Sequence, residues 1–354
     1  MKKRKQKLMN NALYKKLTAK DIAEKLIHCA ENKEKLLICA HRNPDGDAVG
    51  SAFALKMIYK AMGGEAYCTS SDEIPDYLRF LLRDQESIKF NESIEYDTIV
   101  TVDTASPSQM GELSFLCEKV SFAIDHHESA TEYSDTYRNK DASAAGEMIF
   151  EIYEELINKG IIKEDGDICR LIYSAISSDT GSFKYSNTTE DTHKIAAKLI
   201  KAVNNDKNGI NTSEIARLIH NSKSIKSLKA DKMVIENLRL TKDGKIAYVL
   251  LEGEDMDKNG LSEEDFGSAV DIPRSVEEVL LAFVLKDSKK TDENQNKIYR
   301  ISARSSCDVS VGDICKKFGG GGHAKAAGAS VSAENGELAV KAVLSEFNSA
   351  LMGE

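Results

Sequence analysis

Asp45 and Asp47 stand two residues apart in the stretch HRNPDGDAVGS, with His41 just ahead of them. Asn, Pro, Asp and Gly are ordinary turn formers, so two solvated acids in a turn is the plain reading. The chemical reading is that a cation sits between charges that would otherwise repel. Three further groups favour the second reading. Asp103 follows the run TIVTV, Asp125, His126 and His127 follow SFAI, and Asp179 follows AISS. Singly, each has an ordinary explanation: an Asp after a strand is usually a turn or helix cap, and adjacent histidines point in different directions. Together they offer oxygen and imidazole donors without thiolate, a set that suits manganese, magnesium, iron or zinc. The donors suffice for two ions, and a pair about 3.5–4 Å apart is the usual arrangement for phosphoester hydrolysis. Asp45 and Asp47 would then face different ions, with Asp103 bridging them.

These groups act together only if the chain brings them to one place. The segments 35–40, 97–102 and 119–124 are continuous apolar runs that read as buried strands. Segments 51–63, 143–160, 167–178 and 190–204 have helical periodicity. Buried strands separated by helices predict a mostly parallel sheet covered on both faces. Such a sheet lines up the carboxyl ends of its strands along one edge, where ligands bind. A polar break at 204–214 precedes helical connecting material, and the pattern then changes. Strands are expected at 245–252, 279–287 and 297–306, with a closing helix at 336–353. The expected fold class is α/β, with a parallel-sheet first domain and a smaller α/β second domain. Within the second, GDICKKFGGGGHAKAAG runs four glycines straight into His323. Close backbone approach to an anionic group is the better reading of that run, which has neither the dinucleotide nor the Walker register.

Composition narrows the function. The 354 residues carry a formal net charge of -9, whereas a protein that grips long nucleic acid is normally basic. A short anion can still bind where metal ions supply positive charge. The seven cysteines form no C-x-x-C pair, which argues against a disulfide framework and a thiolate zinc site. No apolar run approaches a membrane span, and the start MKKRKQK has no apolar stretch of signal-peptide type after it. A reducing cytoplasm is the expected location and no membrane partner is expected. The basic start reads as a frayed end or the first turn of a surface helix.

In order, HRNPDGDAVGS, VDT, DHH and SSDTGSF resemble the four motifs of the DHH phosphoesterase superfamily, and GGGGHAKAAG resembles the signature of its associated C-terminal domain. The resemblance spans residues 41 to 328. It implies a metal-binding catalytic domain at 22–205, a helical linker at 206–235 and a substrate-binding domain at 236–354, with the active site in the cleft between the domains. His41, Asp45 and Asp103 would hold one ion; Asp47, Asp103, His127 and Asp179 would hold the other. His126 would lie beside the scissile phosphate, with Asp125 orienting the histidines. Arg304, Gly321, Gly322 and His323 would hold the far end of the substrate. The implied cofactors are two divalent ions, manganese by family habit, and the expected assembly is a homodimer. A compact chain of this architecture resembles the bifunctional oligoribonuclease and 3'-phosphoadenosine-5'-phosphate phosphatase group. Its substrates would be short RNA oligonucleotides or small nucleotides. Cleavage of cyclic or linear dinucleotides is the alternative. A non-catalytic nucleotide-binding regulator would be expected to lack a ligand, and none is missing here.

Overall fold

The computed structural model describes residues 14–353 apart from residues 84, 92, 129, 206–208 and 268. The basic start MKKRKQK lies outside the described residues. The chain divides into two compact units, the first ending at Ser222 and the second beginning at Lys223.

The first unit is built on six strands: β1 (Lys16–Leu17), β2 (Lys35–Cys39), β3 (Glu65–Thr69), β4 (Thr98–Val102), β5 (Val120–Asp125) and β6 (Asp135–Arg138). Their order is β1-β6-β5-β4-β2-β3, and every neighbouring pair is parallel. Residues alternate between two faces. Leu36, Ile38, Val100, Val102, Phe122 and Ile124 point into a core shared with five helices. Those helices are α1 (Ala19–Glu31), α2 (Gly46–Ala61), α3 (Ala145–Asn158), α4 (Gly166–Asp179) and α5 (Glu190–Asn205). Leu37, Cys39, Ile99 and Ala123 face the other way, onto Met110, Leu113 and Leu116. Those three lie in 3-10 turns over Pro107–Lys119, broken at Gly111 by a φ of 59°. The second face is therefore covered without a regular helix.

Helix α2 begins at Gly46 rather than at residue 51, because the Asp45 carboxylate accepts the amides of Asp47 and Ala48 at 3.0 Å each. The expected turn is a capped helix start. Helix α1 was absent from the periodicity reading, although Thr18 and Asp21 form a reciprocal capping box at its start.

The second unit carries strands β7 (Leu238–Leu240), β8 (Ile246–Leu251), β9 (Leu281–Thr291), β10 (Lys297–Ser305), β11 (Gly321–Gly322) and β12 (Ala326–Ala333). Their order is β11-β12-β10-β9-β8-β7, antiparallel except for β8 beside β9. The closing helix Gly336–Met352 buries Val343 and Phe347 against Phe283 and Tyr299. The helix Ile225–Glu236 packs Ala230, Met233 and Val234 onto Val249 and Leu251. Among the described residues no helix is long and apolar enough to cross a membrane. All seven cysteines are free thiols.

Candidate metal centre

Three neighbouring strands deliver the first donors. In the order β5-β4-β2, Asp125 closes β5, Asp103 follows β4, and His41 stands two residues after β2. Adjacent strands lie about 4.8 Å apart, so side chains at their carboxyl ends come within reach of a shared ion. Asp103 follows the middle strand, which is why it meets donors from both sides. Its amide donates to the Ile124 carbonyl at 2.9 Å, and its φ is 54°, a left-handed value that turns the chain off the strand.

Two helices bring the rest. The Asp47 carboxylate is fully buried and accepts from the Ser51 hydroxyl at 2.9 Å. It also accepts from the amides of Ala145 and Gly146, at 2.6 and 3.0 Å, at the start of α3. A helix N-terminus is a favourable place for an anion. Sequence reasoning missed these supports, although SAAGE before an apolar helical run marked a helix start. Asp179 comes from the last residue of α4. Helices α2 and α4 cross closely at Gly50, where a Cβ would lie 2.7 Å from the Leu171 carbonyl oxygen and 2.9 Å from Ala175 Cβ. That close approach is what a glycine allows.

The result is three donor groups, with donor atoms within 4.8 Å of one another in each: His41, Asp45 and Asp103; Asp47, His126 and Asp179; Asp103, His126 and His127. His41 Nε2 lies 3.8 Å from Asp45 Oδ1 and 3.5 Å from Asp103 Oδ2. His126 Nε2 lies 3.7, 3.5 and 3.5 Å from carboxylate oxygens of Asp47, Asp103 and Asp179. His127 was expected beside Asp47 and Asp179, and the structure puts His126 there instead. His127 turns its Nδ1 to Asp125 Oδ1 at 2.7 Å, with Asp103 Oδ1 at 3.6 Å. Consecutive residues leaving a strand point to opposite sides, so one histidine enters the carboxylate cluster and the other does not. Arg138, which no sequence pattern singled out, donates from Nε to the His127 carbonyl at 2.8 Å and from Nη2 to the Glu128 backbone carbonyl at 2.7 Å.

The donors fit a divalent cation on three counts. Each ring in the two outer groups is tied at Nδ1 to a backbone carbonyl, His41 to Arg42 at 2.7 Å and His126 to Ala142 at 3.2 Å, leaving Nε2 for an ion. The buried Asp103 Oδ1 has no hydrogen-bond partner. Among the described residues, Asp45, Asp47, Asp103 and Asp179 form ion pairs with histidine alone. Burial and the neighbouring Asp103 charge push the Asp47 carboxyl up, and burial with Asp47 and Asp103 pushes Asp179 up. Burial also opposes ionisation of Asp103, but His126 and His41 outweigh it and hold that carboxyl low. A crowded set of carboxylates that titrate apart is short of positive charge.

The same crowding predicts how metal binding depends on pH. Burial works against the charged imidazoles, yet Asp103 and Asp45 raise His41 to about 11, while Asp103, Asp47 and Asp179 raise His126 to about 10. Both rings are therefore expected to hold protons in the metal-free protein at neutral pH, which a cation would displace. Affinity for manganese is expected to rise with pH between 6 and 8, by about tenfold per unit for each proton displaced. Calorimetric titrations in buffers of different ionisation heat would count the released protons. An affinity flat across that range would show that the rings carry no proton for the ion to displace.

In the second unit, Arg304 lies near the end of β10, opposite Ala326 of β12. Its Nε is 3.8 Å from Asp271 Oδ1, a long pair on a partly exposed side chain, which contributes little. Gly322 has a φ of 142°, and a Cβ there would meet the Ala326 oxygen at 2.6 Å, so that glycine is required by its own sheet. Gly321 has open space where a Cβ would be. The His323 backbone closes a turn with Ala326 at 2.8 Å, while its imidazole makes no hydrogen bond among the described residues. Arg304 and the glycine–histidine turn are thus neighbours within one sheet.

Comparison with known proteins places this arrangement. The model of the DHH family, N-terminal domain, matches residues 35–176, and that of the DHHA1 domain matches residues 243–349. The bifunctional oligoribonuclease and PAP phosphatase NrnA of Thermus thermophilus is 28% identical over 87% of this chain and 88% of its own length. The NrnA of Bacillus subtilis is 27% identical over 86% of this chain and 92% of its own. A crystal structure of an exopolyphosphatase-related protein from Bacteroides fragilis shares the fold, with a TM-score of 0.79 at 22% identity, covering 94% of this chain and 95% of that one. With both domain models matched in order, and the motif residues of the first gathered at one sheet edge, the chain belongs to the DHH family and carries its DHHA1 domain.

Proposed function

We propose that this protein is a metal-dependent phosphoesterase. It hydrolyses short oligoribonucleotides to mononucleotides and 3'-phosphoadenosine 5'-phosphate to AMP, using two divalent ions, preferably manganese. The observation that carries this reading is Asp103, whose buried carboxylate stands between two donor groups with one oxygen unpartnered. The similarity to the two NrnA proteins supports the choice of substrates. Bound ions would polarise a phosphoryl oxygen and acidify an attacking water.

This chain's residues do the rest. His41, Asp45 and Asp103 hold one ion. Asp47, Asp103, Asp179 and, in place of the expected His127, His126 hold the other. His127 takes the role first given to His126: against the pull of burial, Asp125 and Asp103 raise its pKa, and in the doubly protonated ring Nδ1 donates to Asp125 while Nε2 donates to the phosphoryl group or the leaving oxygen. Asp125 fixes that ring, as carboxylates commonly orient histidines. Arg304, Gly321, Gly322 and His323 bind the far end of the substrate.

The test is a panel with manganese: diribonucleotides, RNAs of increasing length, the adenosine bisphosphate, cyclic dinucleotides and pyrophosphate. Short RNA and the bisphosphate should be cleaved fastest, and a strand of some tens of nucleotides much more slowly at equal ends, because a chain of net charge -9 is poorly suited to grip a long polyanion. Equal rates on short and long strands, or a preference for pyrophosphate, would overturn the substrate assignment. Run on Arg304→Ala, the same panel should show roughly a ten- to hundredfold loss of kcat/KM on the dinucleotide, the value of a charged hydrogen bond. An unchanged value would remove Arg304 from the substrate site.

A further inference from the structure

Two tyrosines lie on segments that adjoin donor residues, Tyr77 beside the Asp45 helix start and Tyr185 on the loop after Asp179, and nothing above uses them. Tyr185 is 51% exposed and belongs to neither of the cores around it. Its amide donates to the Thr180 carbonyl at 3.0 Å, and two residues later Asn187 Nδ2 donates to the Asp179 carbonyl at 3.1 Å. The loop carrying the ring therefore folds back on the residue that supplies the donor. The ring lies against Gly181, where a Cβ would come 2.4 Å from its Cζ. Gly181, Ser182 and Phe183 all have left-handed φ values, 56°, 60° and 64°. L side chains disfavour that region, so Ser182 and Phe183 mark a tightly constrained loop. Phe183 secures it by packing on Tyr173 and His193, at centroid distances of 5.8 and 5.6 Å.

Tyr77 is the other tyrosine. It is 50% exposed, on the 3-10 turn Asp76–Leu81. That turn packs beside the start of α2, with Leu78 Cδ2 3.6 Å from the position of a Cβ on Gly46. Burial and the Asp45 charge both raise the Tyr77 hydroxyl, in keeping with a ring near that carboxylate. Among the described residues neither tyrosine stacks on another ring.

A half-exposed ring supported on one side is a stacking platform, and every nucleobase presents a flat face to one. We infer that Tyr77 and Tyr185 each stack on a base of a dinucleotide, one at the Asp45 end of the metal centre and one at the Asp179 end. They thereby set its preference for nucleotides over bare phosphate chains. The inference rests on the phosphoesterase reading.

The experiment uses the full-length manganese-loaded enzyme and its Tyr77→Ala, Tyr77→Phe, Tyr185→Ala and Tyr185→Phe variants. The substrates are a diribonucleotide and two analogues, each lacking one base. Each alanine variant should raise KM for the intact dinucleotide by roughly 5- to 150-fold, the range for one lost base–aromatic stack, with kcat nearly unchanged. Phenylalanine should restore most of the loss. Each alanine variant should lose nothing more on the analogue that lacks the base its tyrosine holds. Equal losses on intact and base-free substrates would overturn the inference, as would a fall in kcat alone or phenylalanine variants as poor as alanine. If the wild type cleaves the dinucleotide and the variants match it, only the stacking fails. If the wild type cleaves no dinucleotide, the phosphoesterase reading fails and the inference with it.

Discussion

Asp103→Asn is expected to cut manganese-dependent turnover of a dinucleotide by about two to four orders of magnitude, the cost of removing one partner from a buried charge cluster. Asp103 is 3% exposed and sits 3.5 Å from both His41 and His126. Neutralising it weakens both donor groups at once. Asparagine is the informative replacement because the position has a φ of 54°, and Asn adopts the left-handed region more readily than most residues. The fold should survive: the backbone hydrogen bond to Ile124 is untouched, and repulsion with Asp47 and Asp179 falls. The measurements are turnover, metal content and a thermal melt of the metal-free protein. Full turnover with two bound ions would end the shared-carboxylate reading.

The two histidines should fail in different ways. His126→Ala removes the imidazole that faces Asp47, Asp103 and Asp179. Metal content is then expected to fall from about two ions per chain to about one, with activity falling alongside. His127→Ala leaves that cluster intact and removes only the ring paired with Asp125. It should keep both ions and lose about 10²–10⁴ in kcat on a dinucleotide, the usual contribution of a positioned proton donor. The loss should shrink on an activated aryl phosphodiester, whose leaving group needs little protonation. Metal analysis of the two variants decides the matter. Loss of an ion from His127→Ala and not from His126→Ala would restore the original assignment.

Much of this centre was legible in the residues. Buried strands such as TIVTV cannot face water on either side, so helices or turns had to cover them, and a parallel sheet followed. A parallel sheet gathers the residues after its strands, so His41, Asp103 and the Asp125–His127 group had to approach one another. Their chemistry, oxygen and imidazole in excess of any cation, was equally visible. Less legible were elements held by contacts rather than by pattern. The turns over Pro107–Lys119 have no helical period, yet they cover a whole face of the sheet. Strand β12 is made of small residues, no strand was expected there, and it forms because β10 and β11 pair with it. Helix α2 starts at Gly46 because one carboxylate cap outweighs the turn-forming character of NPDG.

What the sequence by itself determined, then, is which side chains converge and what donor chemistry they carry, since hydrophobic periodicity and donor type depend on residue type alone. It could not say which histidine of the pair enters the cluster. Both have the same ligand chemistry, and the choice depends on the side to which the chain leaves β5. That side is set by the pairing of Ile124 with Val102 and Tyr137, by the Arg138 hold on the His127 carbonyl, and by Ala142 receiving His126 Nδ1. These contacts link residues from separate elements, and they exist only once the sheet has formed.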